Sequence, residues 1–134
     1  MIVGSWSTSS ISQVISGHPN PEVNTTQSVS YGKTETLIYT FNEDKTGKAV
    51  RTLVELERDF TSEFTYSVSD TSLTFNWLSG ADEGRTISYK LGTLDSKELS
   101  FSRSVSVDGT AGDERGNLNP YTMTTKTTYI MKKV

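Results

Sequence analysis

The sequence has no cysteine, and histidine occurs once, at position 18. Disulfide frameworks, thiolate zinc sites, cysteine nucleophiles and iron–sulfur clusters are therefore excluded together. Because no H-E-x-x-H or G-x-S-x-G element is present, serine-triad catalysis and metal-dependent hydrolysis lack their necessary residues. A pair of carboxylates is the catalytic alternative that the sequence leaves open. The prediction is a protein that is not an enzyme and that carries no cofactor and no metal.

Two further absences concern partners. No basic stripe is present, and the chain of 134 residues has a formal net charge of -3, so nucleic acid is not an expected partner. No apolar run reaches the roughly 18 to 20 residues that span a bilayer, so no transmembrane segment is expected. The length fits a single domain, residues 1–134, with a hydrophobic core of its own.

Strand-like alternation is what the sequence does contain. Phe64, Tyr66 and Val68 alternate with small polar residues, and a turn at Asp70 leads into Leu73, Phe75 and Trp77. The same period of two marks further strands, whose apolar sets are: Gly4 to Ser9; Leu37, Tyr39 and Phe41; Val50, Thr52, Val54 and Leu56; Ile87, Tyr89 and Leu91; Leu99, Phe101, Arg103 and Val105; Met123 to Met131.

Short turns join most of these strands, which favours an all-β fold. Eight antiparallel strands in simple hairpin order predict an up-and-down barrel, because closure buries one face and removes the strand edges. A β-sandwich is the structural alternative. Residues 11–33 and 108–120 are predicted as long loops, and hairpin order places both at one end of the barrel, the candidate mouth.

The first strand carries a family resemblance. Val3-Gly4-Ser5-Trp6 resembles the G-x-W element that opens the first strand of lipocalins and other calycins. The resemblance implies a lipocalin-like barrel in which Gly4 and Trp6 close the floor and a basic residue of the last strand, Lys132 or Lys133, covers the tryptophan. We take Lys132 as the covering residue.

A second element, Phe41-x-x-Asp44-x-x-Gly47, is similar to a feature of lipocalin-like domains in bacterial envelope proteins. That resemblance implies a periplasmic or cell-surface location and a lipid anchor attached outside this sequence.

Aromatic residues and one arginine are the candidate ligand contacts. Arg103 shares an otherwise apolar face, where a charge needs a partner or water, so it is either an anion anchor inside the cavity or a residue that reaches solvent. Aromatic rings can line a ligand cavity or fill the barrel, and both alternatives remain open. The candidate cavity residues are Tyr39, Phe41, Tyr66, Phe75, Trp77, Tyr89, Phe101 and Arg103.

Two loop features have plainer interpretations. His18 is expected to be a solvent-exposed loop residue at the rim. The acidic segment 108–114 does not have the spacing of a calcium loop and is expected to be a flexible loop.

The leading functional hypothesis is a non-catalytic module that binds a small hydrophobic or amphipathic ligand inside the barrel. Trp6 would close one end, and the loops around His18 and Asn117 would form the rim at the other. The alternative is an envelope-associated interaction domain with a packed interior, which binds a protein or glycan partner through its loops.

Overall fold

The computed structural model describes residues 2–134, and these contain nine antiparallel strands. The strands are β1 (Gly4–Ser16), β2 (Thr26–Ser30), β3 (Glu35–Phe41), β4 (Thr46–Leu53), β5 (Arg58–Val68), β6 (Ser72–Trp77), β7 (Thr86–Leu94), β8 (Glu98–Gly112) and β9 (Leu118–Lys133). No helix within residues 2–134 is long and apolar enough to cross a membrane.

Eight of the strands form a closed barrel. Strands β3 to β9 pair in sequence order, and β1 pairs with both β3 and β9, which closes the ring. The predicted eight-stranded antiparallel barrel is confirmed, and the sandwich alternative is wrong because β9 returns to β1. The inward residues of the strands form one core, led by the fully buried Trp6, Phe41, Phe64, Phe75 and Phe101.

The inward face predicted for strand β4 was wrong by one residue. Val50, Thr52, Val54 and Leu56 were expected to share the apolar side, but Gly47 and Ala49 are the buried residues. Val54 and Leu56 lie beyond the strand and are 45% and 64% exposed. Because side chains alternate, a shift of one residue exchanges the faces of the whole strand. The small inward residues leave room for the large rings of neighbouring strands.

About half of the residues in the two segments predicted as long loops lie in strands. β1 continues to Ser16, β2 pairs with residues 10–14 of β1, and β8 and β9 continue to a tight turn at residues 113–117. A β-bulge at Ser9 lets β1 change its inward face where it leaves the barrel. We call the resulting sheet of residues 26–30, 10–16, 118–126 and 104–112 the extension.

The opposite end of the barrel is closed around Trp6. Its indole Nε1 donates a hydrogen bond of 2.8 Å to the carbonyl of Ile2. The Lys133 ammonium lies 4.6 Å from the ring centroid and donates to the carbonyl of Val3 at 2.9 Å. Gly4 is required here, because its φ is +126° and a Cβ would lie 2.1 Å from the Lys133 Nζ.

The residue over Trp6 is thus Lys133, and the choice of Lys132 was wrong. Trp6 lies opposite Lys133 in the β1–β9 ladder, so Lys133 shares its face of the sheet. Lys132 points to the outer face, where it pairs with Glu98.

Candidate functional site

The lower half of the barrel is packed solid with aromatic rings. Phe64 and Phe75 meet edge to face with centroids 4.9 Å apart, and Phe41 meets Tyr66 at 5.0 Å. Phe101 stacks on Tyr129 at 4.8 Å. Four of the candidate cavity residues therefore belong to the core instead of lining a cavity: Phe41, Tyr66, Phe75 and Phe101.

Above this core lies a cavity of about 670 Å³ that is open to solvent at its rim. Of the candidate residues, Tyr39, Trp77 and Tyr89 line it. The remaining walls come from strands β3, β4, β5 and β9 and from the β6–β7 loop: Leu37, Ala49, Arg51, Asp59, Phe60, Thr61, Ser62, Gly80, Ala81, Asp82 and Tyr129. The cavity lies at the end of the barrel away from Trp6, the end predicted as the mouth.

Burial divides the cavity into an apolar floor and a polar rim. Tyr39, Ala49 and Trp77 are 7%, 6% and 8% exposed and form the floor. Arg51 and Asp59 are exposed and belong to the rim. The site can thus accept an apolar group below and a hydrated polar group above.

Three tyrosines give the cavity its polar character. Burial raises the pKa of the Tyr39 hydroxyl well above its ordinary value, and the neighbouring Tyr129 and Tyr89 raise it further. Burial is also the first cause of the raised pKa of Tyr89 and of Tyr129, and the Asp82 carboxylate contributes to both. All three hydroxyls therefore keep their protons at neutral pH and can take part in hydrogen bonds, although that of Tyr89 already interacts with the Tyr129 hydroxyl.

The charged residues of the rim already have partners. Arg51 forms an ion pair with Glu35, and Asp82 accepts from Arg85 at 3.1 Å. The Asp59 carboxylate accepts a hydrogen bond of 2.7 Å from the Thr52 hydroxyl. The rim therefore presents fixed, mixed charges instead of a field of one sign.

Trp77, a residue of the cavity floor, also carries an unpaired hydrogen-bond donor. Its indole Nε1–H is buried and has no hydrogen-bond partner among residues 2–134. An unsatisfied buried donor costs about 1–3 kcal/mol, and native structures contain few of them. A ligand acceptor or an ordered water reached by a small shift of the ring would relieve this cost.

Arg103 lies outside this cavity. It is exposed, and it lines two smaller recesses beside β8 together with Tyr89 on one side and Lys126 on the other. Arg103 therefore lies beside Tyr89 and Tyr129, which also line the cavity, but it does not itself line the cavity and does not reach Tyr39 in the floor.

The predicted rim residues lie in the two connections between strands of the extension. His18 is half-buried against Tyr121, with ring centroids 4.6 Å apart, and its Nδ1 accepts from the Asn20 amide at 3.0 Å. His18 is a loop residue as expected, but it is half-buried instead of fully solvent-exposed, because the β1–β2 connection folds back on β9. Asn117 ends the tight β8–β9 turn and does not line the cavity.

The acidic segment 108–114 is ordered by hydrogen bonds rather than forming a loose loop. Asp113 accepts from the amides of Asn117 at 2.9 Å and Arg115 at 2.8 Å, and these bonds lower the pKa of its carboxyl. Residues 2–134 contain no group of three potential metal ligands.

Sequence reasoning missed Arg51, Phe60 and Asp82 as cavity residues. Arg51 lies two residues from Ala49 and therefore shares its face of β4, which could have identified it. This face was not recognised because the larger Val50 and Thr52 suggested that the other face points inward. Asp82 belongs to a loop, for which strand periodicity makes no prediction.

The comparisons with known proteins support the fold alone. No protein-family model matches the chain, and no curated protein matches its sequence. A crystal structure of an uncharacterized protein from Bacteroides eggerthii is similar, with a TM-score of 0.57, 12% sequence identity and coverage of 100% of both chains. At this identity the similarity shows a shared eight-stranded barrel architecture over the full length.

Proposed function

We propose that the protein is a non-catalytic binding module that holds a small amphipathic molecule in the upper half of its barrel. The observation that carries the proposal is the cavity of about 670 Å³ above a solid aromatic core. Small-molecule sites in proteins are typically clefts of about 300–1,000 Å³ with apolar walls and a few convergent polar groups.

The arrangement of the walls indicates how the ligand would lie. Its apolar body would contact Leu37, Ala49 and Trp77, while Tyr39 in the floor and Tyr89 in the wall offer hydrogen bonds. A polar head with both donors and acceptors would meet the mixed charges of the rim. A long fatty acid is a poor fit, because the aromatic core fills the lower half of the barrel.

Native mass spectrometry against a panel of compact amphiphiles and small apolar ligands tests the proposal. Ala81→Trp places a large ring in the cavity from an exposed loop position, so binding should fall at least about tenfold without loss of folding. Leu78→Trp is the matched control, because Leu78 is 54% exposed in the same loop and does not line the cavity.

A bound ligand should also raise the melting temperature of the wild type and the control, since it stabilises only the folded state. Equal binding by the two tryptophan variants would place the ligand elsewhere. No saturable binding by the folded wild-type protein would contradict the proposal.

The alternative function, an interaction domain that meets a protein or glycan partner through its loops, stays a prediction. The extension exposes three apolar residues, Val29 at 54%, Val107 at 57% and Leu118 at 72%. They lie on three different strands and the strand register does not place them side by side, so they carry no argument for an interaction surface. The location in the cell envelope stays a prediction that rests on the resemblance of Phe41-x-x-Asp44-x-x-Gly47 to an element of bacterial envelope proteins.

A further inference from the structure

A cleft opens where strands β7 and β8 separate. The β7–β8 ladder reaches Lys90 and Ser102 and stops there, while β8 continues beside β9 as far as Gly112. Residues 86–89 of β7 pair only with β6. The barrel wall therefore has a gap between the start of β7 and the middle of β8.

Three cations and three hydroxyls line this gap, and no carboxylate does. The cleft has a volume of about 390 Å³ and is lined by Ser88, Lys90, Ser102, Arg103, Ser104 and Lys126. The protein as a whole carries a net charge of -3, so the charge of this cluster is opposite in sign to that of the molecule.

Strand register brings the cluster together. Lys90 lies opposite Ser102 across the β7–β8 pair, and Lys126 lies opposite Ser104 across the β8–β9 pair. Side chains directly opposite in antiparallel strands share a face, so both lysines project from the outer surface on either side of β8. Arg103 comes from the other face and lines the cleft because no β7 residue covers that edge of β8.

None of the three cations has an acidic partner within the described residues. The ion pairs among residues 2–134 join Arg51 to Glu35, Arg85 to Asp82 and Lys132 to Glu98. Like charges held close together repel, and a bound anion converts that repulsion into attraction. Serine hydroxyls beside the cations add hydrogen-bond donors that can serve the same anion.

We propose that this cleft is a binding site for a tetrahedral oxyanion, a phosphate or sulfate group, that is separate from the barrel cavity. Arg103 supplies a planar pair of N–H donors suited to two oxygens, Lys90 and Lys126 supply charge, and the serine hydroxyls complete the coordination. The group can be a free anion or the charged part of a larger ester, because the cleft is open to solvent.

The test is a titration of isotope-labelled protein with inorganic phosphate and with inorganic sulfate, followed by amide NMR shifts. Saturable shifts confined to residues 88–90, 102–104 and 126 are the expected result. The double variant Lys90→Gln/Lys126→Gln and the single variant Arg103→Gln should each weaken binding by about tenfold or more. Lys97→Gln is the matched control, because Lys97 is an exposed lysine in the turn at the other end of β8.

Arg103→Lys separates geometry from charge, since it keeps the charge and loses the planar pair of donors. An intermediate loss is expected. Ala81→Trp, which blocks the barrel cavity, should leave phosphate binding unchanged, so failure of the ligand proposal and failure of the anion proposal are distinguishable. No shifts, or shifts spread over all exposed lysines and unaltered in the cleft variants, would overturn the inference.

Two further probes identify the source of the anion. Tighter binding of a soluble phosphate monoester than of inorganic phosphate would assign the site to a small phosphorylated molecule. Tighter binding of vesicles that contain phosphatidic acid, lost in the double variant, would assign it to a lipid headgroup. Either result supports the site, and equal retention of vesicles by the double variant would contradict the lipid assignment.

Discussion

Among residues 2–134, Thr8 is the one polar residue with a fully buried side chain, and it lies on β1 directly before the bulge. It is 2% exposed, and its Oγ1 has no hydrogen-bond partner within residues 2–134. Thr8→Val replaces this hydroxyl with a methyl group of similar shape. We expect the free energy of unfolding to rise by about 1 kcal/mol, because a buried unsatisfied hydroxyl is removed.

Urea denaturation of both proteins measures this difference. Thr74→Val is the control, because the Thr74 hydroxyl is within 2.9 Å of the Ser88 hydroxyl on the outer wall and should give no gain. A less stable Thr8→Val protein would mean that the hydroxyl has a partner, such as a buried water.

The lysine pair at the end of β9 gives a second prediction at the residue scale. Lys133→Met removes the cation over Trp6 and the bond to the carbonyl of Val3, so stability should fall by about 1 kcal/mol. Lys132→Met removes only a surface pair with Glu98 and should cost less than about 0.5 kcal/mol. Guanidinium denaturation followed by tryptophan fluorescence compares the two, and a larger loss for Lys132→Met would contradict the geometry.

At the scale of the element, β4 shows where packing overrides hydrophobic pattern. A Cβ on Gly47 would lie 2.4 Å from the carbonyl oxygen of Thr40 and 2.5 Å from the Phe64 ring. Gly47→Ala should therefore destabilise the protein by about 2 kcal/mol, through overpacking of the core. Thermal unfolding measures the loss, and Gly84→Ala gives a comparison in which strain at a φ of +82° acts without any atom within 4 Å.

The strands that periodicity located correctly are those whose inward residues are large. On β5 and β6 the large side chains alone identify the buried face, and these are Phe64, Tyr66, Phe75 and Trp77. Strand β4 could not be assigned in this way, because its inward residues are small so that the rings of β5 fit against them. The sequence of β4 is compatible with either face pointing inward, and the prediction chose the face of Val50 and Thr52 because their side chains are larger.

The extension was missed for a related reason. Its strands are rich in serine and threonine and bury few residues, so the alternation between buried and exposed positions that identifies a strand is weak there. Glycine and aspartate near the β8–β9 turn further suggested a loop. Pairing with long neighbouring strands, which a single sequence does not display, holds these segments in the sheet.

Weak burial also predicts weak protection of the extension. Amides of residues 104–111 on β8 should exchange with deuterium faster than those of residues 99–102 on the same strand, because the extension can open without unfolding the barrel. Native-state hydrogen exchange measures the difference. Equal protection along the whole of β8 would show that the barrel and the extension unfold as one unit.

At the scale of the molecule, the sequence was sufficient to predict the closed barrel. It was not sufficient to predict how the interior is divided between a packed core and a cavity. Alternation and hairpin order were sufficient for eight strands and one mouth. Whether an aromatic residue fills the core or lines a cavity depends on its position along the barrel axis. That position is set by the register between neighbouring strands. Tyr39 and Phe41 illustrate this, since they lie two residues apart on one face and only Tyr39 lines the cavity.

The tyrosines of the interior predict how the whole molecule responds to alkaline pH. Burial raises the pKa of Tyr39 well above its ordinary value near 10, whereas the same residue in the unfolded chain ionises near 10. Above pH 10 the native state therefore binds more protons than the unfolded state, so stability falls as pH rises. The loss should be about 1.4 kcal/mol per pH unit for Tyr39, with a further contribution from Tyr89, and none is expected below about pH 9.

Urea denaturation at a series of pH values between 7 and 11.5, roughly the range that spans tyrosine ionisation, measures this slope. Tyr39→Phe removes one ionising group and should flatten the alkaline slope by about 1.4 kcal/mol per pH unit while changing stability less at neutral pH. Tyr89→Phe should flatten it as well, because burial also raises the pKa of Tyr89. A wild-type slope that both variants leave unchanged would mean that water reaches these hydroxyls through the cavity and that the floor of the site is wet.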